Sequence, residues 1–387
     1  MKVLIAVGGG GHFSPALAVI NQMPKDWEVL LVGRKYAFEA DKTISFEYQT
    51  AHRLGIPFET LTTGRLQRKF TRHTLSSLVK MPVGFRQAQK LINQYKPDVV
   101  LSFGGYISVP VVLAAAMQRL PIVIHEQTLH AGLANKIAGK FAKKICISWK
   151  QSGKFFPKEK VIVTGNPIRK EFINVIPGLT RNPEIDSRLR GNDKPLPTIY
   201  ITGGSGGAHG INVIIEGCLE KLLTNYTVVH QTGDAKQFGD FDRLEQQKKK
   251  LPEELQKRYT LKKFVTPDEV NQLLQQADLV VSRSGINTIT ELLYWGKPSL
   301  LIPLPYGQQN EQIHNALFIK KRGLGEIADQ QTTTPDTFYT QISQMLHNRK
   351  QYLQHAAAAR KLIDVHAADN IIEVIHDVQT KKKSTKT

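Results

Sequence analysis

The 387-residue chain predicts an α/β fold of two domains, each wound around a parallel sheet, and three observations predict it. Short apolar runs alternate with helical patterns along most of the chain. The length exceeds the roughly 250–300 residues at which a single core stops growing. The two halves also open alike, with "VLIAVGGGGH" from Val3 and "IYITGGSGGAH" from Ile199. Each opening joins an apolar run to a glycine turn and a helical start, the local signature of a strand, a phosphate-accepting turn and a helix N-terminus. Two Rossmann-like domains, each offering a helix N-terminus to an anion, account for the pair.

Taken in order, the strands of the first half are "KVLIAV" from Lys2, "WEVLLVG" from Trp27, "DVVLSFGG" from Asp98, "PIVIHEQ" from Pro121, "KKICIS" from Lys143 and "KVIVTGNP" from Lys160. The second series is "PTIYITGG" from Pro197, "YTVVHQTG" from Tyr226, "LVVSRSG" from Leu279 and "SLLIPLP" from Ser299. Between them "VIPGLTRNPEIDSRLRGNDKPLP", with Pro177, Pro183, Pro195 and Pro197 and no period, reads as a linker or exposed insertion. The domains expected are 1–165, a linker 166–197, a second domain 198–345, and C-terminal helices 346–387 ending in a disordered basic tail, "KKKSTKT".

Composition narrows the function. Cys146 and Cys218 supply neither a disulfide framework nor a metal cluster, which fits a reducing, cytosolic setting. The most apolar stretch, "VPVVLAAAMQRLPIVI", is interrupted by Gln118, Arg119 and Pro121, short of the ~18 residues a membrane span requires. "KVLIAV" is too short for a signal peptide and runs straight into the glycine turn, so membrane contact is expected to be peripheral. A formal charge of +19 favours polyanionic partners, and no nucleic-acid-binding module is recognised.

A dinucleotide fingerprint fits poorly. With Gly8 and Gly10 as its first glycines, Phe13 falls where the third belongs, and the second strand ends at Gly33 and Arg34 rather than at an acid. Arg34 suits a 2′-phosphate, which leaves an NADP-dependent enzyme as an alternative. "ADLVVSRSGINTITELLYWGKPSLLIPLP" reads as a strand ending near Ser282, a turn through Ser284 and Gly285, and a helix from Ile286. Main-chain N–H groups from Ile286 to Ile289 then aim at an anion such as a diphosphate. Glu291, one turn beyond Asn287, is placed to accept from ribose hydroxyls or simply favours the positive helix end. His125 and His130 are spaced wrongly for a helical zinc pair, "DFD" at Asp240 and Asp242 reads as a solvated face, and His230 as a strand-end support of the nucleotide pocket.

Seven stretches in this order, "GGGGHFSPALAV", "KPDVVLSFGGYISVP", "IHEQTLHAGLANK", "VTGNPIR", "GGSGGAHGIN", "HQTG" and "SRSGINTITE", carry a resemblance. The chain resembles the bacterial UDP-N-acetylglucosamine:N-acetylmuramyl-(pentapeptide)-pyrophosphoryl-undecaprenol N-acetylglucosaminyltransferases, which make lipid II from lipid I. The resemblance implies a GT-B arrangement of two Rossmann-like domains facing across a cleft. It implies an inverting transfer of N-acetylglucosamine without a cofactor; no bound catalytic metal is expected, because the helix N-terminus at Ile286 and Arg169 can stabilise the leaving diphosphate and the sequence offers no convincing carboxylate pair. It places the lipid-linked acceptor at Gly10, Gly11, His12, Tyr106 and Glu126. It places the donor at Gly9, Gly10, Gly11, Thr128, Arg169, Ser205, Val265, Ile286, Asn287, Thr288, Ile289, Thr290, Glu291 and Gln312. A UDP-sugar epimerase of similar architecture is the other alternative.

The chain departs from the family pattern at several places. Val7 and Gly9 replace a glycine and a threonine of the first loop, so a side-chain hydroxyl is absent at position 9. Thr128 stands for asparagine, Gly206 for glutamine, and Glu311 for glutamine or histidine.

The acceptor hydroxyl needs a base. His12 at a helix N-terminus is expected to stay neutral near pH 7 and to take that proton, with Glu126 its rival. The segment "GRLQRKFTRHTLSSLVKMPVGFRQAQK" interleaves Arg65, Arg68, Lys69, Arg72, Lys80 and Arg86 with Phe70, Leu75, Leu78, Val79, Met81 and Phe85. This pattern suits an anionic bilayer and predicts peripheral attachment at the cytoplasmic face of the inner membrane.

Overall fold

The computed structural model describes residues 1–36, 44–64, 72–173, 196–204, 206–306 and 310–384. The chain forms two units: Met1–Lys170 together with Asp364–Thr387, and Glu171–Ile363. The first holds β1 (Lys2–Ala6), β2 (Glu28–Gly33), β3 (Phe58–Thr60), β4 (Val99–Ser102), β5 (Ile122–Glu126), β6 (Lys144–Ile147) and β7 (Val161–Val163). All are parallel, in the order β3-β2-β1-β4-β5-β6-β7. The second holds β8 (Thr198–Thr202), β9 (Thr227–Gln231), β10 (Tyr259–Lys262), β11 (Leu279–Ser282), β12 (Ser299–Leu301) and β13 (Gly325–Ile327). Its parallel order is β10-β9-β8-β11-β12-β13.

Strand order reverses beside β1 and again beside β8. The gaps between β1 and β4 and between β8 and β11 are therefore the crevices in which open α/β sheets bind ligands. Each expected strand is present. β3, β10 and β13 were not expected, and all three lie at sheet edges.

Alternation along β1 builds two cores. Leu4 and Ala6 pack with Val100, Ile107 and Val111 on one face. Val3 and Ile5 pack with Phe13 and Val99 on the other. The second face is closed by the last helix, Ala367–Ser384, whose Ile371 and Ile375 are buried in the first unit's core. The backbone stays helical through Ser384 where a disordered tail from Lys381 was expected; residues 385–387 lie outside the described ones. Most of the expected linker, 174–195, also lies outside them.

In each unit the first glycine turn is locked against a neighbouring loop. A Cβ at Gly8 would run into the backbone of Gly105, whose φ of 82° itself favours glycine. In the second unit a Cβ at Gly207 would strike the Thr232 carbonyl.

Candidate active site

In the first unit the ends of β1, β2, β4 and β5 converge. Helix Gly10–Ile20 opens directly on the glycine turn, where the His12 and Phe13 N–H groups both donate to the Gly9 carbonyl at 2.9 Å. Its first turn has no acidic residue and no side-chain cap, so the positive helix end is not neutralised locally. His12 is half-buried. Burial pushes its imidazolium below the usual histidine range, a hydrogen bond to the Phe103 backbone pulls the other way, and the Arg34 charge pushes it down again. The result is a neutral imidazole near pH 7.

Glu126, at the end of β5, is 2% exposed. One carboxyl oxygen accepts from the Thr128 N–H (2.9 Å) and hydroxyl (2.6 Å), the other from the Gly132 N–H (3.1 Å) and Asn135 Nδ2 (3.0 Å). Burial raises its carboxyl above the usual range, against the pull of these hydrogen bonds. Four donors occupy the four acceptor positions of a carboxylate, which makes Glu126 a strut for its own loop. The Thr128 hydroxyl lies 2.6 Å from both the Glu126 carboxyl and the His130 carbonyl. It is therefore turned toward its own loop.

Two residues join this site: Gln127, to which sequence reasoning assigned no role, and Arg34, which it weighed only for a 2′-phosphate. Gln127, 4% exposed, holds Trp149 Nε1 with its carbonyl at 3.0 Å and brings its Nε2 to 3.4 Å from His12 Nδ1. Its Oε1 is buried with no hydrogen-bond partner among the described residues. Arg34 donates through Nε to Glu47 at 2.9 Å, and its carbonyl accepts from Ser45 Oγ at 2.7 Å. Burial opposes the Arg34 charge, yet Glu47 and the Tyr106 hydroxyl together hold its pKa above the usual value. Tyr106, an expected acceptor residue, is thus brought to Arg34. Phe13 is fully buried where a third fingerprint glycine would sit.

His125 lies at the end of a strand, so its spacing from His130 was never helical. Its Nε2 meets the Gly165 carbonyl and Ser148 Oγ, each at 3.1 Å, and burial lowers its pKa to about 4. No group of three or more metal-binding side chains occurs among the described residues.

In the second unit β11 ends at Ser282 and helix Ile286–Trp295 begins beyond Gly285, as the sequence led one to expect. The helix N-terminus carries neither a side-chain cap nor an acidic residue in its first turn. Ser284 fastens the turn by donating to the Gln312 carbonyl at 2.8 Å, and Asn315 Nδ2 donates to the Ser284 carbonyl at 2.9 Å. Of the expected run, Ile286, Ile289 and Thr290 are buried, and the Thr290 hydroxyl returns to the Ile286 carbonyl at 2.9 Å. The Ile289 N–H donates to the Gly285 carbonyl at 3.0 Å, so the run of unpaired N–H groups expected from Ile286 to Ile289 does not extend to Ile289. Asn287, Thr288 and Glu291 are half-exposed and present side chains. Val265 is half-buried between β10 and the capped helix Pro267–Gln276. The Gln312 amide oxygen accepts from the Leu304 N–H at 2.9 Å. Arg169 is half-buried in the first unit, and Ser205 lies outside the described residues.

The "DFD" pair divides, against the expectation of a solvated face. Asp242 is exposed, but Asp240 is buried and receives Asn212 Nδ2 (2.8 Å), His209 Nδ1 (2.8 Å) and Arg243 (2.7 Å). Because the carboxylate demands the Asn212 NH₂, the Asn212 oxygen faces His230 Nε2 at 3.1 Å and must accept a hydrogen bond from its N–H. His230 Nδ1 then accepts from the Tyr259 hydroxyl at 2.9 Å. His230 is wholly buried, and its pKa falls to about 3.

The expected membrane segment is only partly placed: 65–71 lie outside the described residues, and helix Arg72–Tyr95 follows. Val83 and Arg86 are exposed, whereas Phe85 packs against the first unit's core. Among the described residues no helix is long and apolar enough to cross a membrane.

Comparison with known proteins adds to this geometry. The chain matches the glycosyltransferase family 28 N-terminal domain over residues 3–147 and the family 28 C-terminal domain over 198–375. It is 31% identical, over 99% of both chains, to the UDP-N-acetylglucosamine–N-acetylmuramyl-(pentapeptide) pyrophosphoryl-undecaprenol N-acetylglucosamine transferase of Acetivibrio thermocellus. The crystal structure of MurG from Acinetobacter baumannii is similar with a TM-score of 0.70 at 26% identity, covering 97% of this chain and 99% of that one. A UDP-GlcNAc 2-epimerase from Neisseria meningitidis shares the fold at a TM-score of 0.65 and 16% identity, covering 97% and 100%.

Proposed function

The chain belongs to glycosyltransferase family 28, and on that footing we propose how its two ligand crevices serve one transfer reaction. It is a hexosyltransferase of peptidoglycan synthesis, moving N-acetylglucosamine from UDP-N-acetylglucosamine to lipid I and giving lipid II. The observation that carries this reading is the match over nearly the whole chain to transferases of that activity. The epimerase resemblance extends to the fold alone.

In the proposed mechanism the acceptor lies at the glycine turn of the first unit, with Gly9, Gly10 and Gly11 leaving its approach clear of side chains. His12 accepts the proton of the acceptor hydroxyl. That oxygen bonds to the anomeric carbon as the carbon–diphosphate bond breaks, and UDP leaves with the electron pair and inversion of configuration. The uncapped N-terminus of helix Ile286–Trp295 and Arg169 offset the charge that develops on the leaving diphosphate. Val265 holds uracil through its main chain, Glu291 the ribose, and Gln312 the donor sugar. Glu126 supports the loop beneath His12 and is not the base. The test is radiolabel transfer from UDP-N-acetylglucosamine to lipid I or a short-chain analogue. Label released as an epimerised sugar nucleotide without acceptor would identify an epimerase instead.

Glu291→Ala is expected to raise the donor KM at least about 10-fold while the acceptor KM changes little, because a lost ribose contact is mainly ground-state binding. Equal changes for both substrates would remove Glu291 from the donor site.

The first unit docks peripherally on the cytoplasmic face of the inner membrane through the basic, apolar segment Gly64–Lys90, bringing a lipid-linked diphosphate to the glycine turn. Each basic residue near an anionic surface contributes roughly 1 kcal/mol, screened by salt. Co-sedimentation should be strong with anionic vesicles, weak with neutral ones, and reduced when Arg68, Lys69 and Arg72 are changed to Glu. Unaltered binding of that triple variant would exclude the segment as the contact.

A further inference from the structure

We propose that Tyr36, Ile44 and Phe46 form an apolar subsite for the polyprenyl chain of the lipid-linked acceptor, on the far side of the glycine turn from His12. The inference rests on the reading that the acceptor's diphosphate lies at that turn, and it adds where the lipid goes.

The burial pattern after β2 runs opposite to what packing alone would give. Ser45 and Glu47 are 0% and 1% exposed, whereas the apolar Ile44 and Phe46 on either side of Ser45 are 41% and 47% exposed. The polar pair is drawn inward by Arg34: Ser45 Oγ donates to its carbonyl at 2.7 Å, and Glu47 accepts from its Nε at 2.9 Å. Because side chains alternate along an extended chain, holding Ser45 in turns its neighbours out. Tyr36, 39% exposed, pairs with Ile44 in an antiparallel bridge, so their side chains stand next to each other. Lys35 Nζ lies 5.6 Å from the Tyr36 ring centroid and rims the patch with a cation. Single exposed apolar side chains are ordinary; three together beside a ligand turn mark an interaction surface.

Position identifies the occupant. The Phe46 ring lies against the head of helix Gly10–Ile20: its Cδ1 is 3.7 Å from where a Cβ of Gly10 would stand, and it meets the Phe13 ring edge to face with centroids 6.0 Å apart. His12 follows Gly10 by two residues, about 200° around the helix at ~100° per residue, and so leaves the helix head on the opposite side. The sheet order agrees. His12 reaches Gln127, just past β5, and the Phe103 backbone, just past β4, while Phe46 follows β2. β2 and β4 flank β1 on opposite sides.

The acceptor is linear, with a sugar, a diphosphate and a polyprenyl chain in that order. With the sugar hydroxyl at His12 and the diphosphate over the helix N-terminus, the first isoprene units fall on the Phe46 side. Hydrocarbon needs no directed partner, only apolar surface against which to leave water, and the three side chains offer it.

The test is steady-state kinetics on the full chain without vesicles, using two soluble acceptors that differ only in the lipid: one carries several isoprene units, the other a single unit. For each protein the chain-length preference is kcat/KM for the longer acceptor divided by that for the shorter. In the parent it should favour the longer acceptor, and it should fall at least about 10-fold when Ile44→Ser is combined with Phe46→Ser. Phe46→Leu, which keeps most of the apolar surface, should retain more of the preference than Phe46→Ser. Both positions are exposed, and the donor KM measured on the same samples reports that the protein is folded. A preference within about twofold of the parent in the double variant would overturn the assignment, as would a parent indifferent to chain length. With the preference unchanged, weaker vesicle co-sedimentation of the double variant would give the patch to the bilayer surface, and loss of a parent dimer would give it to a second copy; either overturns the proposal. Absence of transfer by the parent protein with both acceptors would instead overturn the functional reading itself, so the two failures are distinguishable.

Discussion

Replacing His12 by Ala is expected to lower turnover by at least about 100-fold, the smaller end of what a positioned general base contributes. The imidazole is kept neutral by burial and by Arg34, so its lone pair is available near neutral pH. The sign of the pH dependence follows: because the folded pKa lies below the ordinary value of 6.5, activity should persist into mildly acidic solution before its acid limb falls. Single-turnover measurement with both substrates saturating separates this loss from weaker binding. Near-parent turnover in His12→Ala would dismiss it as the base. Glu126 would not inherit the role readily, since its carboxyl oxygens are occupied by Thr128, Gly132 and Asn135.

Acidification from pH 7 to pH 5 should cost each unit roughly 2 kcal/mol of stability through one histidine apiece. His125 in the first unit and His230 in the second are fully buried, with pKa lowered to about 4 and about 3. In the unfolded chain both titrate near 6.5, so the unfolded state binds more protons over this interval and stability falls as pH falls. The contribution is complete above the unfolded value and is lost progressively below it. Denaturant unfolding at the two pH values, on the parent and on His125→Gln and His230→Gln, measures the effect. An undiminished pH dependence in both variants would refute this cause.

The central strands were legible because each is an apolar run bounded by glycine or a polar break. β3, β10 and β13 were not, because edge strands of three or four residues, such as "FET", need little apolar sequence. The helix at Ile286 announced itself through Ser284 and Gly285, but which of its side chains face outward depends on the core beneath Ile286 and Ile289. The Arg34–Glu47 pair joins a strand end to a helix start thirteen residues later, and no local pattern marks it. Asp240 read as solvated because its own neighbours are polar; the groups that bury it, His209 and Asn212, come from helix His209–Asn225. Thr128 was read from its place in a motif, yet its hydroxyl is claimed by the Glu126 carboxyl and the His130 carbonyl.

The helix Ala367–Ser384 gives the chain an order of completion that the reading frame alone conceals. Most of the first unit is made before the second, yet the side chains that close one face of its sheet, Ile371 and Ile375 among them, leave the ribosome only after the whole second unit. The second unit, Glu171–Ile363, is contiguous and is fully synthesised while the first still lacks its closing helix. A message cut short between Ile363 and Ala367 would therefore damage the half that was translated earlier and leave the second unit whole. The nascent first unit meanwhile carries uncovered apolar surface through the synthesis of nearly two hundred intervening residues.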